Sequence, residues 1–142
     1  MQGKEEKGGF IVLKLAHGED LFECLNKAIK KFKIKSGFVV LGLGMLAEVE
    51  IGYFSYKTKK YSWKKLKEPH ELVALHGSIS TKGETVIHLH CALANAKHQL
   101  VGGHLKSAKV CVINEILLKK LDDVVLGRKL NTETGLKEMF IE

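Results

Sequence analysis

The sequence predicts an α+β domain in which one main helix flanks an antiparallel-rich β-sheet. One amphipathic segment near the N-terminus repeats its apolar residues at helical spacing, whereas the chain from Phe38 onwards consists of apolar runs and two-residue alternation. The strand segments follow one another without intervening helices, which favours antiparallel pairing. A chain of this length fits a single domain over residues 1–142, and the charged residues 1–7 are expected to form a disordered tail.

The single helix has recognisable start and stop signals. Asp20 followed by Glu23 forms a capping-box-like start, and Ser36-Gly37 marks the stop. A first strand is expected before the helix, at residues 8–15. Further strands are expected at residues 38–43, 49–53, 63–69, 72–80, 85–91 and 110–118, with a closing hairpin of residues 124–126 and 137–141.

The composition is that of an ordinary globular protein, with 45% hydrophobic and 27% charged residues. No apolar run reaches the roughly 18 residues of a membrane span, and residues 1–7 lack the apolar segment of a signal peptide. The sequence therefore predicts a cytoplasmic protein without a membrane partner. Cys24, Cys91 and Cys111 lie far apart in the chain and are expected to be buried free thiols.

The formal net charge of +7 indicates attraction to an anionic partner, although a lysine- and glutamate-rich surface is also typical of a heat-adapted protein. Arg128 is the only arginine among 23 basic residues, and lysine contacts phosphate without reading base edges. Any DNA binding is therefore expected to be non-specific. The candidate surface is segment 57–67, whose lysines surround Tyr56, Tyr61 and Trp63, the rings on which bases could stack. Its candidate lysine contacts are Lys59, Lys60, Lys64 and Lys65. A lysine-edged hairpin that protects the edge of a sheet explains the same residues.

Three histidines carry the strongest chemical signal. Residues two apart on a strand face the same side, so His88 and His90 are expected to project together. If residues 95–99 form the loop of a hairpin, His90 lies directly opposite His104, unless a bulge at Gly102-Gly103 shifts the register. The three imidazoles then converge on one point.

Three neutral imidazoles suit Zn²⁺ or another late divalent metal and leave one coordination position open. The sequence therefore predicts a metal site of His88, His90 and His104, with zinc as the expected ion. Sheet-packing or exposed histidines are the alternative. No catalytic residue is assigned, and Glu71 and Glu115 are the only nearby acid–base candidates.

The other four histidines lie outside this pattern. His17, His70 and His98 sit beside expected turns and are predicted to be surface residues. His76 lies in an expected strand and is either a fourth contributor to the site or a buried core histidine.

Four segments carry a resemblance to a known family. They are residues 71–79 (ELVALHGSI), the His-Leu-His triplet 88–90, the Gly-Gly-His-Leu step 102–105 and the strand 112–116. In this order they resemble the plants-and-prokaryotes conserved (PPC) domain, over residues 9 to about 126. The resemblance implies a compact β-rich fold with a flanking helix, a homotrimer, and a family associated with DNA binding or transcription. In prokaryotic members, the histidines matching His88, His90 and His104 look like a metal site.

One departure limits what the resemblance implies. Plant members attach an arginine-glycine-arginine hook that enters the DNA minor groove, and this chain has no such tripeptide, so their DNA binding does not transfer. Three hypotheses follow. The first is a non-enzymatic, homotrimeric metal-binding module with a DNA-binding or transcription-associated role, whose lysine-rich faces meet DNA or an acidic partner. The second is a small metal-dependent hydrolase or lyase, and the third is a sequence-independent nucleic-acid binder.

Overall fold

The computed structural model describes residues 1–142, which form nine strands, one α-helix and a 3₁₀ turn. The α-helix α1 spans Leu21–Lys31, and the 3₁₀ turn spans Lys7–Gly9. The strands are β1 Gln2–Glu6, β2 Phe10–Ala16, β3 Ser36–Ser55, β4 Lys60–Leu66, β5 His70–Ser80, β6 Val86–Ala94, β7 Leu100–Leu121, β8 Leu126–Leu130 and β9 Lys137–Ile141. No helix is both long enough and apolar enough to cross a membrane.

Seven strands form one antiparallel sheet in the order β1-β2-β7-β6-β5-β3-β4, and β8 pairs with β9 as a separate hairpin. The two long strands, β3 and β7, also pair with each other. Because β5 and β6 connect the same two strands, β7, β6, β5 and β3 close into a ring. The antiparallel-rich sheet with one flanking helix is therefore confirmed.

Each long strand joins two segments that the sequence predicts separately. β3 contains residues 38–43 and 49–53, and β7 contains residues 101–105 and 110–118. The β3–β7 register shifts between Gly44 and Met45, where Gly44 has a φ of +129° and a Cβ would lie 2.1 Å from the Ile113 carbonyl oxygen. Such bulges bend a strand and increase its twist, so the chain curves around the core without a turn.

The expectation of a disordered tail at residues 1–7 is wrong. β1 pairs with β2, with Gln2 opposite Lys14 and Glu6 opposite Phe10. The Glu5 carboxylate also accepts a hydrogen bond from Lys120 at 2.5 Å. β1 is an edge strand whose side chains are mostly exposed, so it lacks the apolar alternation by which strands are recognised.

Helix α1 starts where the sequence predicts, with the Asp20 side chain accepting a hydrogen bond from the Glu23 backbone N–H at 2.9 Å. It ends at Lys31, before the expected stop, because Lys33 takes a φ of +53° that no α-helix can continue. Ile34 then turns back into the core. The helix packs one apolar face on the sheet: Leu21, Cys24, Leu25, Ala28 and Ile29.

The β8–β9 hairpin packs against the end of the sheet, which confirms the expected closing hairpin, although its first strand is Leu126–Leu130 rather than residues 124–126. The Leu126 side chain is buried, and its backbone N–H donates to the Ser36 hydroxyl at 2.8 Å. Gly127 forms an isolated bridge with Lys82 in the β5–β6 connection. These contacts place Arg128 against β5, where its guanidinium donates to the Ser78 hydroxyl at 2.6 Å.

Candidate metal centre

One row of neighbouring residues runs across five strands and contains two of the predicted ligands. His76 on β5 lies opposite His90 on β6, and His90 lies opposite His104 on β7. His104 in turn lies opposite Gly52 on β3, and Gly52 lies opposite Trp63 on β4. Cross-strand neighbours share one face of a sheet, so this row forms a continuous surface.

The β6–β7 hairpin has the register that the sequence predicts. Ala94 pairs with Leu100 across the loop, and the pairing runs without a shift to His90 and His104. The two glycines between them form no bulge. A Cβ at Gly102 would lie 2.3 Å from the Cys91 carbonyl oxygen, so only glycine allows the strands to pair this closely.

The three imidazoles converge on one point. The Nε2 atoms of His88 and His90 are 3.2 Å apart, and the His104 ring lies 5.0 Å and 5.4 Å from the two other ring centroids. One ring nitrogen from each histidine lies within 4.8 Å of the other two. Two nitrogens bound to a tetrahedral zinc at about 2.0–2.1 Å are about 3.4 Å apart. The distance between the His88 and His90 nitrogens therefore already suits a zinc-sized ion, and the His104 nitrogen lies within 4.8 Å of both.

The electrostatics of the cluster also suit a metal. The Nδ1 atom of His104 is buried without a hydrogen-bond partner, and such an atom is unfavourable unless a ligand satisfies it. Burial, and then His104, His90 and Arg128, lower the pKa of His88 to about 4. Burial, and then His90, lower the pKa of His104. Both shifts favour the neutral imidazole, which is the form that binds a metal ion.

An aromatic wall covers one side of the cluster. The Tyr61 ring stacks on Trp63 at 4.8 Å between centroids and lies 5.2 Å from the His104 ring. Gly52 makes room for both, because a Cβ there would lie 2.6 Å from an atom of the Trp63 ring. Two of the three rings that the sequence suggested for base stacking thus pack beside the histidines, whereas Tyr56 is exposed and contacts Lys59.

Two cavities adjoin the cluster and share His88, Arg128 and Met139 in their walls. The larger has a volume of about 540 Å³ and is also lined by His76, Ser78 and His90. The smaller, of about 400 Å³, reaches His104 and Tyr61. A ligand in the larger cavity would therefore contact both the histidines and Arg128. Sequence spacing gave no link between residue 128 and the histidines, and its being the only arginine was the single available signal.

Most of the chain matches a known protein family. Residues 2–122 match the Plants and Prokaryotes Conserved (PCC) domain. The chain belongs to this family. The matched region ends before β8, so the hairpin that carries Arg128 lies outside it.

Solved structures support the family assignment. The PCC fold of this chain superposes with a TM-score of 0.89 on a Bacteroides thetaiotaomicron protein provisionally named a DNA-binding protein, at 26% identity over 98% of this chain and 96% of that one. The TM-score is 0.86 for a metal-containing protein of Archaeoglobus fulgidus, at 27% identity and 99% coverage of both chains.

A curated relative places the same domain in a longer chain. The bifunctional protein GlmU of Synechococcus sp. (strain JA-3-3Ab) is 32% identical over 133 residues, or 92% of this chain. These residues span only 20% of the length of that protein. The match therefore concerns the PCC domain and not the whole of GlmU.

The remaining histidines of the PCC domain fall in three classes. His17 and His98 are exposed, as predicted. The prediction for His70 is wrong, because it is buried at the start of β5 and its Nδ1 donates to the Glu68 carbonyl at 2.7 Å. His76 is exposed rather than part of the core, and its Nδ1 donates to the Val40 carbonyl at 2.8 Å. It lines the larger cavity but is not part of the three-nitrogen cluster.

The two acidic candidates lie away from the imidazoles. Glu71 is five residues before His76 on β5, and Glu115 is eleven residues after His104 on β7. A strand rises about 3.3 Å per residue, so neither carboxylate reaches the cluster. The larger cavity has no aspartate or glutamate in its lining.

The four candidate nucleic-acid lysines are all exposed but do not share one face. β4 is the last strand of the sheet, and alternation along it places Lys60 and Lys64 on one face and Lys65 on the other. Lys59 lies in the preceding turn with its Nζ 3.4 Å from the Tyr56 ring centroid. This arrangement is typical of a lysine-protected sheet edge, and nucleic-acid contact stays a prediction.

Proposed function

We propose that this PCC-domain protein is a metal-binding module in which His88, His90 and His104 hold one late divalent ion, with zinc as the first choice. The observation that carries the proposal is the convergence of three ring nitrogens within 4.8 Å of one another. Likeness to the Archaeoglobus fulgidus protein that is named as metal-containing supports it.

The choice of zinc follows from the donor atoms. All three donors are imidazole nitrogens, which suit zinc, copper, nickel and iron more than magnesium or calcium. Cys91 adds no thiolate, because burial raises the pKa of its thiol to about 11. The ligands lie on two paired strands, so the frame that holds them is rigid.

Three protein ligands leave a fourth coordination position for water or another ligand. A bound zinc ion would supply Lewis acidity there. The cavity of about 540 Å³ beside His88 and His90 gives a small molecule access to this position. Ligand binding at the metal is therefore part of the proposal.

A metal-dependent hydrolase or lyase is the second candidate, and the open cavity is the observation that favours it. Such an enzyme also needs a general acid or base within reach of the substrate. The larger cavity offers His76 but no carboxylate. The smaller cavity is lined by Glu138, whose carboxylate is held by hydrogen bonds from Asn131 and Thr134. We therefore place metal and ligand binding first.

Assembly as a homotrimer is a further part of the proposal. Val12 on β2 and Leu41 on β3 both pair with Leu117 on β7, so the three form one row. Val12 is 56% exposed and Leu41 is 40% exposed. An apolar row in the middle of a sheet is where a partner subunit would pack. The number of subunits rests on the family resemblance.

A DNA or transcription role completes the proposal, together with a cytoplasmic location. It is supported by the likeness to the Bacteroides thetaiotaomicron protein provisionally named a DNA-binding protein and by the net charge of +7. The lysine-rich surface would contact phosphates without reading bases.

Elemental analysis of the purified protein, followed by zinc titration of the chelator-treated protein, tests the metal proposal. We expect one ion per chain, with binding that weakens at acid pH as the imidazoles take up protons. A stoichiometry far below one, or binding that does not depend on pH, would contradict it.

A further inference from the structure

Arg128 has no carboxylate partner. None of the seven ion pairs includes it. Its Nη2 donates to the Ser78 hydroxyl at 2.6 Å and its Nη1 to the Lys137 carbonyl at 3.5 Å, while its Nε is buried without a partner. A partly buried cation that contacts only neutral oxygens is unfavourable unless an anion completes its surroundings.

The closing hairpin holds Arg128 at the cavity wall. Two residues before Arg128, the Leu126 backbone N–H donates to the Ser36 hydroxyl, which fixes this residue at the edge of the core. Gly127 lies under the Phe140 ring of β9, and a Cβ at this glycine would lie 2.2 Å from the ring. Because the preceding residues are anchored and Ser78 holds the guanidinium, Arg128 presents a fixed cation to the cavity.

The larger cavity is electropositive on its polar side. Its polar lining consists of His76, Ser78, His88, His90 and Arg128, without any acidic side chain. A divalent ion on the histidines would add two further positive charges. Phe38 and Met139 supply apolar surface, and the volume of about 540 Å³ suits a small organic molecule.

We propose that Arg128 and the open coordination position of the three-histidine metal site together bind one small oxyanion, a carboxylate or a phosphoryl group. This inference rests on the proposed function. One oxygen of the anion binds the metal, and the planar guanidinium donates to another. Since the hairpin lies outside the matched domain, the second half of this site comes from an element beyond the family match.

Cobalt-substituted protein provides a direct test, because its visible absorption changes when an anion enters the coordination shell. Acetate and methylphosphonate are titrated into the wild type, Arg128→Gln and Lys129→Gln. Lys129 is the matched control, since it is an exposed cation on the same strand that lines neither cavity. Calorimetry gives the affinities, and the melting temperature verifies folding.

We expect Arg128→Gln to bind cobalt with an unchanged spectrum but to bind the preferred anion about tenfold or more weakly, as loss of a charge-assisted hydrogen bond requires. Lys129→Gln should match the wild type. Arg128→Lys keeps the positive charge but loses the planar guanidinium, so its affinity for the anion should lie between those of the wild type and Arg128→Gln. It replaces Arg128→Gln in the test if that variant does not fold. The preferred anion identifies the ligand as a carboxylate or a phosphoryl compound.

Two failures are distinguishable. If the wild type binds no cobalt or zinc, the proposed metal function is overturned, and the oxyanion site with it. The metal function stands and the oxyanion site alone is overturned in two cases. In the first, the metal binds and every variant binds both anions as tightly as the wild type does. In the second, the metal binds but neither the wild type nor any variant binds either anion.

Discussion

His90 on β6 lies directly opposite His104 on β7, and this cross-strand pair brings the two halves of the candidate metal site together. The pair is set by the register of a single hairpin, which runs without a shift from Ala94 and Leu100. The site therefore needs no loop closure or distant docking to form. The ligand geometry should therefore persist as long as the sheet stays folded.

Gly52→Ala is expected to lower the melting temperature and to displace the aromatic wall. A Cβ at Gly52 would lie 2.6 Å from the Trp63 ring and 3.0 Å from the Tyr61 ring, and such overpacking costs about 1–3 kcal/mol. Trp63 is the only tryptophan, so its fluorescence reports the change. Ser62→Ala on β4 is the control: it removes only an exposed hydrogen bond of 3.5 Å to the Tyr53 carbonyl and should leave both signals nearly unchanged. If Gly52→Ala has the fluorescence of the wild type, the Tyr61 and Trp63 rings do not pack against Gly52 as described.

The metal-free protein is expected to lose stability as the pH falls from about 6.5 to about 4. The pKa of His88 is about 4 in the folded chain and 6.5 for an unperturbed histidine. The unfolded state therefore takes up the proton first, so the stability that is fully present above pH 6.5 is lost progressively towards pH 4. Denaturant unfolding with chelator, in wild type and His88→Gln, measures it. His88→Gln should lose less stability than the wild type over this pH range. Identical slopes of stability against pH in the two proteins would refute the lowered pKa of His88.

Leu41→Lys is expected to dissociate the proposed trimer, because it places a charge in the exposed apolar row. Sedimentation of the wild type should give a mass near three chains. Val73→Lys is the control, since Val73 is exposed at 55% on β5 outside that row. A monomeric wild type would rule out the trimer.

Nucleic-acid binding is expected to be weak, strongly salt-dependent and nearly independent of sequence. Glutamine substitution of the candidate lysines should weaken binding equally for every sequence. The substituted set is Lys59, Lys60, Lys64 and Lys65. A control that removes the same charge elsewhere replaces Lys27, Lys30, Lys35 and Lys97, which are also exposed. If the two sets of substitutions weaken binding equally, the lysines on and beside β4 have no special role. A preference of about a hundredfold for one sequence would contradict the whole prediction.

The histidine cluster could be predicted from the sequence because it depends on local rules. His88 and His90 share a face through strand alternation, and one short loop sets the position of His104. Tyr61 and Arg128 could not be placed in this way. Tyr61 reaches the site because β3, its hairpin partner, also pairs with β7, where Gly52 lies opposite His104. Arg128 reaches it through its contact with Ser78 on β5. Both the β3–β7 and the β5–β8 contacts join segments far apart in the chain. The β1 strand was missed for a related reason, since only its pairing with β2 gives it order.

Zinc affinity in the wild type, His104→Ala and His98→Ala tests the central claim most directly. His98 is the matched control, because it is an exposed histidine in the loop of the same hairpin. Calorimetry should give one zinc per chain and the same affinity for the wild type and His98→Ala. His104→Ala should lose more than the roughly 10–100-fold that accompanies loss of a partner outside the coordination shell. Equal stoichiometry and affinity in all three proteins would contradict the three-histidine site.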